Sequence, residues 1–456
     1  MSWPSPTALA VFAERRRRLL GLLDGPAVLP AGLPRARNLP TLTYPFRANS
    51  HFLYLVGAQL PGALLRLSGS DATLYVEPPC PSERLWGGSP SLEQLATARG
   101  IGVRPLADLP RQSDAAVLPS PDQQTNGWLA ALLGRAGPSP GAPLEGADAA
   151  LADALIEVRL CHDDAALAQI RQAVDVTVEA HLEGMARTRV GGRTAQVLGA
   201  MTGHLEANGM VHAYEPIVTV RGEVLHDTKR DALMDANALV LADVGGETPE
   251  GWAADLTRTW PVKGAWSASQ KDLYGAVLAA HEAAVLATRP GAWFRDVHHA
   301  AQQRLVACLC ELGILRGDPM DLWSRGAAAL FFPHGVGHLL GLDVHDLEDL
   351  GDRAGYAPGR QRSDRPGERY LRLDRQLRPG MVVTIEPGFY RLESLFDGDP
   401  QLLDAIDQRV LSRFGDVRGI RIEDDVLVTP QGCEVLSEAL PRAPDGLEAA
   451  IDDRGA

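Results

Sequence analysis

The chain has 456 residues, 45% of them hydrophobic, and a formal net charge of −14. That length leads us to expect two or three domains with full apolar cores, and a net acidic chain with scattered basic residues, apart from the run Arg15–Arg18, excludes the basic face of a nucleic-acid binder. No apolar run reaches the ~18 residues that span a bilayer, so no membrane partner is expected.

Residues 1–130 mix strand-like runs at 52–58 (FLYLVGA), 64–69 (LLRLSG) and 72–78 (ATLYVEP) with helical stretches such as 91–99, an α/β pattern. The Gly-, Pro- and Ala-rich segment 134–150 has no apolar period and reads as a linker or exposed loop. From Asp163 or Asp164, either of which can cap it, a long helix carries Leu167, Ile170, Val174, Val178, Leu182 and Met185 at helical spacing. Gly191 and Gly192 end it, and a second helix spans 194–207. Strand signals follow in EPIVTV, ALVLADV and WAADLTRTWPV. Two more helices are expected at 267–288, capped by Ser267 or Ser269, and at 293–313. The last third returns to strands in MVVTIEPGFY and IRIEDDVLVT, and 349–370 reads as a charged surface loop or insertion. The order of helix pair, strands, helix pair, strands suggests an internal pseudo-repeat.

Five residues stand out as metal-ligand types in chain order: Asp243, Asp255, His338, Glu386 and Glu423. Four carboxylates and an imidazole nearly neutralise two divalent cations, and two cations about 3.5–4 Å apart can share a deprotonated water, a nucleophile for amide hydrolysis. A hairpin centred at Pro249 would set Asp243 opposite Asp255, with Cβ atoms about 4.5–5.5 Å apart. Two bare carboxylates so close would force one to take up a proton, and a cation between them removes the conflict. The alternative is a pair of solvated hairpin acids. In HGVGHLLGLDVHD, His334, His338 and His345 lie among three glycines, which let the backbone approach a metal or substrate closely. The helical zincin motif is absent, and the glycines argue against a helix there. Glu386 sits at a strand end before Pro-Gly. Glu423, taken alone, reads better as part of a solvated acidic run with Asp424 and Asp425.

The five cysteines show no paired spacing and fit a reducing compartment. The first residues place positive charge after a short apolar stretch, the reverse of a secretory signal, so a cytoplasmic location is expected.

Read together, the five segments VLADVGG, AADLTRTW, HGVGHLLGLDVHD, TIEPGFY and GIRIEDDV resemble the pita-bread metallopeptidases, specifically the aminopeptidase P and prolidase branch that cleaves Xaa-Pro bonds. The resemblance covers about residues 160–440, and YPFRANSHFLYLVG (44–57) is similar to the branch's N-terminal domain. It implies an α/β protein with a creatinase-like N-terminal domain (1–155) and a pita-bread catalytic domain (156–445) of two pseudo-symmetric αβ halves. In the family pattern Asp243 binds one metal, His338 and Glu386 the other, and Asp255 and Glu423 bridge both. The metals would be two divalent ions, Mn²⁺ first, with Zn²⁺ or Co²⁺ as alternatives. Glu386 would also carry the proton from the nucleophilic water to the leaving nitrogen. His226 and His345 match histidines that polarise the scissile carbonyl, His334 would hold the substrate, and Arg421 would orient a ligand carboxylate. The implied substrate is a proline-containing peptide and the implied assembly a homodimer or homotetramer. The interval from Asp243 to Asp255 is one residue longer than in the family. Arg372 falls where prolidases bind a free proline carboxylate, whereas 44–57 favours aminopeptidase P. An aminopeptidase is therefore expected first and a dipeptidase second, with a metal-free binding module or a creatinase-like hydrolase as readings of other classes.

Overall fold

The computed structural model describes residues 6–80, 89–111, 114–392 and 400–453. The chain forms two compact units, one of residues 1–160 with 349–354, the other of 161–348 with 355–456.

In the first unit the strands Ala27–Pro30, Leu64–Ser68 and Asp71–Val76 pair antiparallel, and Gly102–Pro105 adds a parallel edge. The run FLYLVGA, expected as a strand, is instead the core of a helix, Ser50–Val56. Every residue of that helix is buried, so it needs no amphipathic period, and a short apolar run cannot be told from a strand by periodicity alone. Its ends carry the signal: the Asn49 side chain accepts the His51 N–H, and Gly57 closes the helix at φ +66°. Arg16 Nη1 donates to the Leu55 carbonyl at 2.8 Å, so part of the Arg15–Arg18 run covers the negative end of a helix. The expected linker 134–150 is loop only to Glu145, and the helix Gly146–Arg159 follows. Within this unit Arg159 Nη1 lies 2.8 Å from His51 Nδ1, and His51 Nε2 lies 3.0 Å from Asp349 Oδ2. Burial alone would raise the Asp349 carboxyl. The charge and hydrogen bond of His51 outweigh it, and its pKa falls to about 2.

The second unit carries the two expected helix pairs, Asp164–Arg187 with Thr194–Ala207 and Ala268–Ala287 with Phe294–Glu311. Asp163 caps the first helix and Ser267 the third, the latter in a capping box with Gln270. Each pair is followed by antiparallel strands. After the first pair, Leu239–Asp243 lies between Ile217–Thr219 and Thr257–Pro261. After the second, Asp424–Thr429 lies between Val382–Ile385 and Gly432–Val435, and Gly388–Tyr390 pairs with Gly419–Arg421. The bridge Thr257↔Glu423 joins the two sets of strands.

The expected surface loop 349–370 is partly buried, with Ala354 in the first unit and Tyr356 and Glu368 packed into the second. The hairpin register also differs from expectation. Asp243 pairs with Thr257, not Asp255, so the ladder is centred at Glu250. The shift at Asp243's partner is two residues, which preserves the face of each side chain. Asp255 therefore lies just outside the ladder yet on the face of Thr257. Its N–H donates to Asp425 Oδ2 at 3.1 Å. At Gly245 an added Cβ would stand 1.8 Å from the Ala254 carbonyl oxygen, so only glycine permits this return of the chain.

Candidate metal centre

Asp243 ends one strand and Asp255 precedes the next, while Glu423 lies between Gly419–Arg421 and Asp424–Thr429. His338 stands in an irregular segment, as the glycines require. Gly337 passes so near the neighbouring strand that a Cβ there would lie 1.9 Å from the Thr384 carbonyl oxygen. That closeness lets His338 N–H reach Thr384 Oγ1 at 3.1 Å, while Thr384 N–H reaches the His338 carbonyl at 3.0 Å. Glu386 follows this strand, its N–H bound to the Val336 carbonyl at 2.7 Å.

One ligand atom each from Asp255, His338 and Glu423 lie within 4.8 Å of one another, and all three residues are buried. His338 Nδ1 lies 3.0 Å from the Leu339 carbonyl, which assigns it the proton and leaves Nε2 facing the carboxylates. Nε2 stands 3.4 Å from Asp255 Oδ2 and 3.7 Å from Glu386 Oε1. Asp243 joins through Tyr214, whose hydroxyl lies 2.6 Å from both Asp243 Oδ1 and Asp255 Oδ1. Arg421 Nη2 donates to Asp243 Oδ2 at 2.5 Å, its Nε to Thr257 Oγ1 at 3.2 Å and its Nη1 to the Tyr390 hydroxyl at 3.1 Å. Thr257 Oγ1 in turn donates to Glu423 Oε2 at 2.6 Å.

The charges are unbalanced. Four carboxylates meet here with one guanidinium and one imidazole. Burial, reinforced by Asp255, Glu386 and Asp243, raises Glu423 well above the usual carboxylate range. Burial lifts Glu386 to about 7 against the opposing pull of His338 and Arg421, and it raises Asp243 as well. Burial would depress His338, but its hydrogen bond to Asp255 and the charges of Asp255 and Glu386 prevail and carry it to about 8. A carboxylate-rich nest short of positive charge, with one imidazole Nε2 open to it, fits divalent cations of the Mn²⁺, Co²⁺ or Zn²⁺ kind.

The other histidines are less tightly gathered. His334 is a neutral imidazole, depressed to about 3 by burial and then by Arg421. Its Nε2 lies 2.8 Å from the Tyr390 hydroxyl, and Nδ1 lies 3.7 Å from Glu386 Oε2. The ring of His345 meets that of His338 edge to face at 4.3 Å between centroids. His226 is exposed, in a turn anchored by the Asp227 carboxylate on Thr219 and Arg221. Arg372 points to Glu348, with Nη1 donating to Oε2 at 2.5 Å. Sequence reasoning missed Tyr214, Tyr390, Thr257 and Glu348. Tyr390 closes the quoted run TIEPGFY and Thr257 lies in AADLTRTW, so both were within sight of the motifs. Tyr214 and Glu348 carry no local signal.

A model of metallopeptidase family M24 matches residues 168–430, and one of the aminopeptidase P N-terminal domain matches residues 12–116. A probable Xaa-Pro aminopeptidase pepP of Penicillium rubens is 32% identical over 419 residues, 89% of this chain and 87% of that protein. The Xaa-Pro dipeptidase of Homo sapiens is 35% identical over 308 residues, 65% of this chain, and the chain spans 61% of that protein's length. Among solved structures, the aminopeptidase PepP of Pseudomonas aeruginosa superposes with a TM-score of 0.80 at 27% identity, covering 99% of each chain. A zinc-substituted aminopeptidase P of Escherichia coli, in complex with product, does so with a TM-score of 0.75 at 26% identity, again covering 99% of each chain. The chain belongs to metallopeptidase family M24 and carries an aminopeptidase P N-terminal domain ahead of it.

Proposed function

We propose that this chain is a dinuclear-metal exopeptidase that hydrolyses the N-terminal Xaa-Pro bond of peptides. The observation that carries the reading is the buried trio Asp255, His338 and Glu423, whose ligand atoms lie within 4.8 Å of one another. Asp243, Asp255, His338, Glu386 and Glu423 would together hold the two cations. Mn²⁺ is the working ion, with Zn²⁺ and Co²⁺ as substitutes. When bound, such cations acidify water and polarise a carbonyl.

The chain's own groups supply the remainder. Glu386, whose Oε1 lies 3.7 Å from His338 Nε2, accepts a proton from the attacking water and delivers it to the proline nitrogen as the C–N bond breaks. One product is a free amino acid, the other a peptide with an N-terminal proline. His345 and His226 donate to the developing oxyanion, the kind of contact whose loss costs about 10²–10³ in kcat. His334, held by Tyr390, positions the substrate. Arg421 and Tyr214 fix Asp243 and, through Thr257, Glu423.

A second reading, an Xaa-Pro dipeptidase, draws support from Arg372 and from the likeness to the human dipeptidase. The assignment also includes a cytoplasmic enzyme working as a homodimer or homotetramer, which sedimentation of the purified protein tests. Cys308, Cys310 and Cys433 are free thiols, in keeping with a reducing compartment. Among the described residues no helix is long and apolar enough to cross a membrane.

The decisive experiment compares cleavage of Xaa-Pro-Yaa by chelated and Mn²⁺-loaded enzyme. Activity is expected only in the loaded sample, and equal rates in the two would overturn the metal-dependent reading.

A further inference from the structure

Glu348 pairs with the guanidinium of Arg372. Arg372 Nη1 donates to Glu348 Oε2 at 2.5 Å, and the same oxygen lies 3.7 Å from His345 Nδ1. The second oxygen, Oε1, is screened from solvent and has no hydrogen-bond partner. The group remains within reach of a ligand, because the side chains of His345 and Arg372 are each 41% exposed and that of Glu348 33%. His345 also stacks edge-on against the metal-site residue His338.

The chemistry of the two candidate substrates differs at one place. In Xaa-Pro the proline ends in a carboxylate, whereas in Xaa-Pro-Yaa it continues as a neutral carbonyl and a peptide N–H. A lone arginine would bind the carboxylate in a charge-assisted, bidentate pair. Here the arginine already has an anionic partner, so an incoming carboxylate must displace Glu348 or lie beside it, like charge against like charge. A peptide continuation meets no such conflict. Its carbonyl can accept from Arg372.

We propose that Glu348, paired with Arg372, is a specificity-determining residue that rejects the free proline carboxylate and selects a peptide that continues beyond proline. The proposal rests on the Xaa-Pro reading above and names the substrate class within it. It makes Arg372 the reader of a neutral peptide, not the carboxylate clamp of a dipeptidase.

The test uses the full-length, metal-loaded enzyme with Ala-Pro, Ala-Pro amide and Ala-Pro-Ala. Ala-Pro and its amide differ in charge at one group and hardly in size. The wild type is expected to favour the amide over the acid in kcat/KM by about tenfold or more, the scale of one charge-assisted contact. Glu348→Ala and the near-isosteric Glu348→Gln are expected to raise kcat/KM for Ala-Pro about tenfold, while Ala-Pro-Ala falls or holds. Adding Arg372→Ala to either variant should abolish the gain, because the freed guanidinium is its source. An acid-to-amide ratio unchanged in both Glu348 variants would overturn the proposal, as would a wild type that prefers the acid. Failure of the wild type to cleave any of the three would refute the Xaa-Pro reading itself.

Discussion

Next to Thr257 in the chain lies Arg258, wholly buried, and the most exacting perturbation of the fold is to remove its charged partner. All five guanidinium N–H groups are used. They reach the carbonyls of Pro441 (2.8 Å), Thr257 (2.9 Å), Glu423 (2.7 Å) and Leu440 (3.0 Å), and Asp424 Oδ1 (2.7 Å). Asp424, also fully buried, further accepts from Ser437 Oγ at 2.6 Å and Arg442 Nη1 at 3.0 Å. Asp424→Asn retains the shape and one acceptor but leaves the guanidinium without its anion. Breaking one side of a buried pair costs about 3–5 kcal/mol, and the retained acceptor places this variant near the lower figure. At about 2–4 °C per kcal/mol for a unit of this size, the melting temperature should fall by about 6–12 °C. Differential scanning fluorimetry in excess chelator at pH 7 measures the shift without a contribution from bound metal. Burial alone would raise Asp424, but Arg258, His281 and Arg442 hold its pKa well below the usual 3.8. The stabilisation is therefore complete above about pH 4 and is lost only as the pH falls through the depressed value, so the gap between wild type and variant should be constant from pH 5 to 8. The double variant Asp424→Asn with Arg258→Met should recover part of the loss, since no unpaired buried charge remains. A melting-temperature change under about 2 °C for Asp424→Asn would refute the reasoning.

The pH dependence of the metal site should have the opposite sign. Both Glu386, at about 7, and His338, at about 8, have folded pKa values above their ordinary ones. Each thus binds more proton in the folded chelated protein than in the unfolded chain. Chelated protein should lose stability as pH rises from 5 to 8, whereas the gain in melting temperature on adding Mn²⁺ should grow over the same range, because cations displace those protons. Calorimetry in buffers of differing ionisation enthalpy should detect proton release at pH 6.5, and its absence would sink the assignment. Tyr214→Phe removes the donor shared by Asp243 and Asp255, and Mn²⁺ affinity or kcat/KM should fall about 10–100-fold with little change in the melting temperature of the chelated protein. A drop confined to stability would mean that the hydroxyl is merely a packing feature.

Legibility in the sequence followed the range of the interactions. Helices with an apolar stripe and a local cap, such as those begun by Asp163 and Ser267, were readable because cap and period lie within one segment. Ser50–Val56 was misread because complete burial erased its period. Asp243 and Asp255 were recognisable as ligand types. Their pairing was not, because the register depends on the irregular return at Gly245–Gly246 and on Asp425 holding Asp255 from 170 residues away. Arg258 was invisible for the same reason, its partners Leu440 and Pro441 lying in another part of the chain. The link between Glu348 and Arg372 spans 24 residues of turns and short helical segments with no repeat to announce it.

The bond between His51 and Asp349 bears on how the protein is made. The first unit contains residues 1–160 and then waits for 349–354. A ribosome adding roughly 5–20 residues each second takes about 10–40 s to travel from Leu160 to Asp349. Throughout that interval the buried His51 lacks the Asp349 carboxylate. The N-terminal unit therefore emerges first but is finished late, and a fragment ending at Leu160 would carry this vacancy permanently.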